Sequence, residues 1–213
     1  MQRLGLFGGT FDPVHNAHLR LALELKQHCQ LEQMHLLPAH IPPHKQTPSA
    51  TPEQRLQMLQ LALADCTELG IDSRELRRHQ PSYTVDTLAE IRAEVGDDVC
   101  LCWAVGGDSL AGLHRWHRWR ELFDCANLIV AVRPGYQQPS AGPVAEFLQT
   151  AQITEPEQLA KHACGKVLIA ELSQLSISAT QIREQIRAGG SAQFLMPDAV
   201  WRFIQTQQLY RDV

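Results

Sequence analysis

Residues 3–29 read RLGLFGGTFDPVHNAHLRLALELKQHC. Arg3 to Phe7 is a short apolar run of the kind that forms a buried strand. Gly8 and Gly9 follow, where the backbone can approach a ligand closely and take up positive φ. From Asn16 to Cys29, Leu19, Ala22 and Leu23 recur at helical spacing. A strand, a glycine turn and a helix make up the opening unit of an α/β fold.

The same alternation continues along the chain. Strand-like runs lie at Gln33 to Leu37, Leu69 to Asp72, Val99 to Val105, Leu128 to Val132 and Val167 to Ala170. Helical segments lie between and after them. Thr51-Pro52-Glu53-Gln54 has the form of a capping box with proline at the first helical position, opening a helix to about Ala64. Tyr83 to Val95 reads as a helix capped by Ser82 or Thr84. Ser178 to Gln181 resembles a second capping box, opening a helix to Arg187, and a last amphipathic helix spans Asp198 to Gln208. Pro139 to Glu157 is the least patterned stretch and reads as a surface excursion with a short helix. These elements predict an α/β, Rossmann-like, doubly wound and mostly parallel sheet with helices on both faces. No linker divides the chain, so residues 1–213 are expected to form one domain, with the helices from about 178 packed on it.

Composition bounds the function. The 213 residues carry 19 Lys and Arg against 23 Asp and Glu, a net charge of −4, with 44% hydrophobic and 20% charged residues. A mildly acidic chain does not suit non-specific nucleic-acid coating. The basic and aromatic run His114 to Arg120 is too short to reverse that expectation. Apolar stretches such as Leu128 to Val132 are far shorter than a membrane span of roughly 20 residues, and the N-terminus has no signal-peptide pattern. Neither nucleic acid nor membrane is expected as a partner. The six cysteines form no CxxC pair, so they are read as reduced cytoplasmic thiols, mostly core filling. Cys100 and Cys102 alternate on a strand and should share a face. The sequence leaves monomer and homodimer open.

In a sheet of this kind ligands bind beyond the carboxyl ends of the strands. After Phe7 stand His15 and His18, three apart at a helix start and therefore on one face. Glycine loop, helix N-terminus and paired imidazoles together describe a phosphate site. A tight turn with two surface histidines, or a zinc site lacking an obvious third ligand, fits the same residues. After Leu37, Lys45 sits in a proline-stiffened loop where it can offer a point charge to phosphate. After Val105, Gly106-Gly107-Asp108 places a carboxylate that can bind ribose hydroxyls or cap a helix. Near the chain's end, Ser178, Thr180 and Arg183 combine hydroxyls, a helix start and a guanidinium, all complementary to polyphosphate.

These segments also carry a resemblance. GGTFDPVHNAH closely resembles the GGTFDPxHxGH signature of bacterial nicotinate-nucleotide adenylyltransferases, within the HxGH nucleotidyltransferase superfamily; the family glycine between the histidines is Ala17 here. Pro38 to Lys45 is similar to the family's P-x-x-x-P-P-H-K loop, Ser178 to Arg183 to its ISxTxIR motif, and Gly106 to Trp116 to its G-x-D…W segment. Pro81 to Leu88 resembles the family segment beside the pyridine ring. The matches run in family order from residue 8 to residue 183.

The resemblance implies transfer of the adenylyl group of ATP to nicotinate mononucleotide by direct in-line attack, with Mg²⁺ carried in by ATP and no protein metal site. It implies His15, His18, Lys45 and Arg183 as catalytic groups. Gly8, Gly9, Thr10, His18, Gly106, Asp108, Ser178, Thr180 and Arg183 would bind ATP. Phe11, Lys45, Tyr83, Thr84, Trp116, His117 and Arg133 would bind the mononucleotide, with Trp116 stacked on its ring; the family often has an aromatic residue at the position of His117. The alternatives are a nicotinamide-mononucleotide or phosphopantetheine adenylyltransferase of the same superfamily, a metal-dependent hydrolase, and a nucleotide-binding module without catalysis.

Overall fold

The structure is a computed structural model and describes residues 1–40, 48–78, 83–173 and 175–211. The chain runs β1 (Gln2–Gly9), α1 (Asn16–His28), β2 (Gln33–Pro38), α2 (Pro52–Ala62), β3 (Gly70–Ile71), α3 (Thr84–Val95), β4 (Val99–Gly106), a short α4 (Gly107–Ala111), α5 (Leu122–Cys125), β5 (Asn127–Val132), α6 (Pro143–Ala151), β6 (Gln152–Ile153), β7 (Val167–Glu171), α7 (Ala179–Arg187) and α8 (Asp198–Thr206). The strands form one sheet in the order β3-β2-β1-β4-β5-β7-β6. Every neighbouring pair is parallel. The order reverses between β1 and β4, and this switch point is where an open α/β sheet offers a crevice.

The period of two along β4 and β5 assigns residues to the two faces. Cys100, Cys102 and Ala104 of β4 and Ile129 and Ala131 of β5 join a core with residues of α1, α2, α7 and α8. Leu101, Trp103 and Val105, with Leu128, Val130 and Val132, join a second core with α3, α5 and α6. The sheet is thus covered on both faces, as the near-continuous apolar strands require. Cys100 and Cys102 share a face, with their Sγ atoms 3.6 Å apart, and all six cysteines are free thiols. No described helix is long and apolar enough to cross a membrane.

Local chemistry sets the helix ends. Gln54 N–H donates to Thr51 Oγ1 at 3.3 Å and Thr51 N–H to Gln54 Oε1 at 2.9 Å, completing the box before α2. At α7 the Ser178 hydroxyl accepts from Gln181 N–H at 3.2 Å. The Gln181 side chain returns to that hydroxyl rather than to the backbone. Two expected caps differ. Tyr83, in extended conformation and with no side-chain cap, precedes α3, and Thr84 is its first helical residue; Ser82 lies outside the described residues. Gly106, not Asp108, is the N-cap of α4. Within Pro139 to Glu157 the expected helix is α6, and a two-residue edge strand, β6, follows it. A strand that short has no periodicity to read.

Gly8 and Gly9 also differ from expectation, because neither adopts positive φ. They are glycines because of their neighbours. A Cβ on Gly8 would lie 2.3 Å from Cζ2 of Trp103, and one on Gly9 2.8 Å from Cζ of Phe11. The left-handed residue of this loop is Phe11 itself, at φ 50°. Its ring is 1% exposed and stands edge-on to Phe7 and His18, with centroids 5.9 and 5.0 Å away. That packing outweighs the roughly 1–2 kcal/mol that the conformation costs a non-glycine residue.

Gly8→Ala should therefore lower stability by about 1–3 kcal/mol, the usual penalty for overpacking, measured as the urea midpoint. Trp103→Phe removes the indole atoms in the way, so the double variant should recover part of that loss. An unchanged midpoint for Gly8→Ala would remove the packing explanation.

Candidate active site

The carboxyl ends of β1 and β4 open onto two adjoining clefts. The larger, about 640 Å³, is lined by the strand end and loop from Phe7 to Asp12, by His15, Ala17 and His18 of the α1 start, by Arg133 after β5, and by Ser178, Thr180 and Arg183 of α7. The smaller, about 320 Å³, shares Phe7, Gly8, Gly9 and Thr10 and adds Tyr83, Thr84, Trp103, Gly106, Trp116, His117 and the buried Glu75. A third hollow beside β4 and β5 holds Asp108, Arg133 and Tyr136.

The two histidines are fixed by their own backbone. His15 precedes α1 in extended conformation, and its ring stacks on His18 with centroids 3.6 Å apart and planes 20° apart. His15 N–H donates to Nδ1 of His18 at 3.4 Å. In its neutral form His18 therefore carries its proton on Nε2, which leaves that atom as a donor. His15 is 3% exposed, so it is not the surface residue that a plain turn would present. Its Nδ1 is buried without a hydrogen-bond partner among the described residues. Burial pushes its pKa down to about 4. His15 is thus a neutral imidazole near pH 7. Among the described residues, Arg133 and Arg183 bring positive charge to the cleft lining.

Arg183 reaches across from α7. One of its terminal nitrogens donates to the Asp12 carbonyl at 2.7 Å and the other to Thr180 Oγ1 at 3.4 Å. The Asp12 carboxylate is 4% exposed. It accepts from Ser49 N–H at 2.8 Å, Ala50 N–H at 3.1 Å and the Tyr210 hydroxyl at 2.7 Å. Beneath the loop lies Arg55 of α2, wholly buried. It donates to the carbonyls of Thr10 at 2.8 Å, Ala39 at 2.6 Å and His40 at 3.0 Å. Burial draws its pKa down and the nearby Asp12 charge counters this; a guanidinium nevertheless stays charged. Tyr210, buried and beside the same carboxylate, has its pKa raised well above the ordinary phenol range.

The structure brings together most of the residues singled out in the sequence. Gly8, Gly9, Thr10, Phe11, His15, His18, Arg133, Ser178, Thr180 and Arg183 line the larger cleft. Gly106, Tyr83, Thr84, Trp116 and His117 line the smaller, where the Tyr83 and His117 rings lie 4.4 Å apart. Phe11 and Arg133, expected among the mononucleotide-binding residues with Arg133 near the phosphate, stand in the larger cleft, apart from Trp116 in the smaller. Asp108 faces the third hollow. Lys45 lies outside the described residues. Trp119 of the basic run is core, edge-on to Phe123 and Phe147, so it offers no stacking platform.

Sequence reasoning missed Asp12, Arg55, Tyr210 and Glu75. Arg55 had a signal, since it lies three and four positions before Met58 and Leu59 and so shares their buried face. Glu75 accepts from the Thr87 hydroxyl at 2.7 Å in the wall of the smaller cleft. Nothing near Tyr210 in the chain points to its partner, 198 positions away.

The buried His15 makes a pH prediction. An unfolded histidine titrates near 6.5 and the folded one near 4, so within that window the unfolded chain binds the extra proton. This contribution to stability is complete above pH 6.5 and is lost as pH falls towards 4, by roughly 3 kcal/mol at about 1.4 kcal/mol per unit. Urea midpoints measured across this range should fall on acidification. In His15→Asn that part of the slope should vanish, whatever the variant's absolute stability.

Comparison with known proteins agrees with this geometry. The cytidylyltransferase-like family model matches residues 6–185. A protein of Cellvibrio japonicus (strain Ueda107) named "Probable nicotinate-nucleotide adenylyltransferase" is 55% identical over 208 residues, covering 98% of each chain. One of the same name from Methylococcus capsulatus is 46% identical over 208 residues, 97% of this chain and 99% of its own. A solved Plasmodium falciparum nicotinic acid mononucleotide adenylyltransferase complexed with NaAD has a TM-score of 0.72 at 15% identity, over 99% of this chain and 98% of that one. At that identity the likeness speaks for the fold alone. With a family model over most of its length and such identity end to end, the chain belongs to the cytidylyltransferase-like family and, within it, to the nicotinate-nucleotide adenylyltransferases.

Proposed function

We propose that the chain joins ATP to nicotinate mononucleotide, forming nicotinate adenine dinucleotide and releasing pyrophosphate, a step of NAD biosynthesis. One observation carries this reading: two clefts of unlike chemistry share the wall Phe7 to Thr10. The larger has arginines, hydroxyls and His18, which suit phosphates. The smaller has Trp116 and Tyr83, which suit a flat ring. Two nucleotides bound side by side would meet at the shared glycine wall. The activity named for the full-length relatives is the same.

The reaction needs little covalent help. A phosphate oxygen of the mononucleotide attacks the α-phosphorus of ATP. The bond from that phosphorus to the bridging oxygen breaks, and pyrophosphate leaves with the bond's electron pair. Positioning and charge neutralisation therefore dominate. His18 donates from Nε2 to the α-phosphate as charge develops there. His15 braces His18 by stacking and acts as a neutral imidazole. Arg183 and Lys45 neutralise the leaving pyrophosphate. Gly8, Gly9, Thr10, Gly106, Asp108, Ser178 and Thr180 complete the ATP site. Tyr83, Thr84, Trp116 and His117 hold the pyridine end of the mononucleotide, while Phe11 and Arg133, from the larger cleft, serve its phosphate end.

Mg²⁺ enters with ATP, as part of that substrate. Among the described residues no group of three or more His, Cys, Asp or Glu is placed to hold a metal. Both oxygens of Asp12, the carboxylate in the larger cleft, already accept donors. The chain acts as one domain, and its free thiols suit the cytoplasm.

Pyrophosphate release with ATP and a panel of mononucleotides tests the reading. The acid mononucleotide should be the preferred acceptor over the amide. His18→Ala should reduce kcat by about 100- to 1,000-fold, the usual effect of removing one transition-state donor, with the fold retained by circular dichroism. Turnover near wild type in His18→Ala, or release with no mononucleotide in the panel, would overturn the proposal.

A further inference from the structure

We infer that Tyr210 is a positioning residue for adenylyl transfer, acting through Asp12 on Arg183. The inference rests on the role proposed above for Arg183. Tyr210 follows α8 and does not line the larger cleft. It is 8% exposed and packs within the core shared by α1, α2 and α8. A phenylalanine would fill the same space without burying a hydroxyl, so the hydroxyl calls for its own explanation. Its hydrogen bond is to Oδ1 of Asp12, at 2.7 Å.

Asp12 joins this contact to the cleft. Its side chain accepts from Tyr210, Ser49 and Ala50, which fixes the residue from three directions. Its own carbonyl accepts from Arg183 at 2.7 Å. The orientation of that carbonyl decides where the guanidinium lies. Arg183 is only half-buried, and its second contact, to Thr180, is long at 3.4 Å. A long side chain so placed would otherwise sample several rotamers. Held in one, it can meet developing charge without reorganising. Arg55 anchors the neighbouring carbonyls of Thr10, Ala39 and His40, so the Asp12 loop is fixed from below as well.

The test is a double-mutant cycle on pyrophosphate release, with Tyr210→Phe, Arg183→Ala and the pair, rates being normalised to the folded fraction. Tyr210→Phe should lower kcat by roughly 10- to 100-fold, the scale of a misplaced catalytic group. The KM for nicotinate mononucleotide should stay as in wild type. With Arg183 already removed, Tyr210→Phe should cost nothing further, the non-additivity expected of residues acting as one unit. A purely structural hydroxyl would lower the denaturation midpoint and leave the losses multiplicative. Wild-type kcat in Tyr210→Phe, or equal losses in both backgrounds, overturns the inference while leaving the adenylyl-transfer reading in place. If Arg183→Ala keeps full turnover, the assigned role of Arg183 falls and this inference with it. Asp12→Asn, which turns an N–H₂ towards one of the three donors, should repeat the pattern and serves where Tyr210→Phe is too unstable to assay.

Discussion

The carboxylate of Asp12 organises this molecule. An ionised group with so little exposure is costly unless donors replace its water. Here two backbone N–H groups and a tyrosine hydroxyl do so, and they come from distant parts of the chain. Satisfying one charge thus joins the β1–α1 loop, the approach to α2 and the segment after α8. Arg183 attaches α7 to the same residue through its carbonyl. Arg55 then fixes the adjoining carbonyls from beneath and places a buried positive charge under the loop. The floor of the larger cleft follows from those bonds.

The sheet explains why the clefts lie where they do. The strand order reverses between β1 and β4, and the segments leaving the two strand ends diverge to opposite faces. Phe7 to Thr10 become a common wall with different chemistry on either side. On one side are imidazole, guanidinium and hydroxyl; on the other are indole and phenol. A net charge of −4 is compatible with polyanionic ligands because Arg133 and Arg183 line the larger cleft while many acids pair elsewhere, as Asp72, Glu90 and Glu94 do with Arg74.

Much of the fold was legible because its strands are apolar and its helices carry their own signals. Val99 to Val105 and Leu128 to Val132 read as strands on composition alone. Thr51 and Ser178 announced helices through hydrogen bonds that span three residues, and such bonds are local enough to be written in adjacent positions. Gly8 and Gly9 were legible as a special place but not for the right reason. Their requirement comes from Trp103 and Phe11, and for Trp103 only pairing of β1 with β4 creates the contact. Likewise His15 was legible as a partner of His18, but its neutrality depends on burial that no spacing records.

The sequence alone determined the alternation of strand and helix, the parallel class of the sheet, and the list of strand-end residues that could meet phosphate and ring. Periodicity, capping and glycine placement act over a few residues, so a linear reading contains them. Tertiary structure decided which of those residues share a cleft, placing Arg133 and Phe11 with His18 and Arg183 in the larger one. It also made His15 a neutral group and recruited Asp12, Arg55 and Tyr210 to hold the rest. Those outcomes come from desolvation and from hydrogen bonds between residues up to 198 positions apart. Neither exists until the chain has closed upon itself.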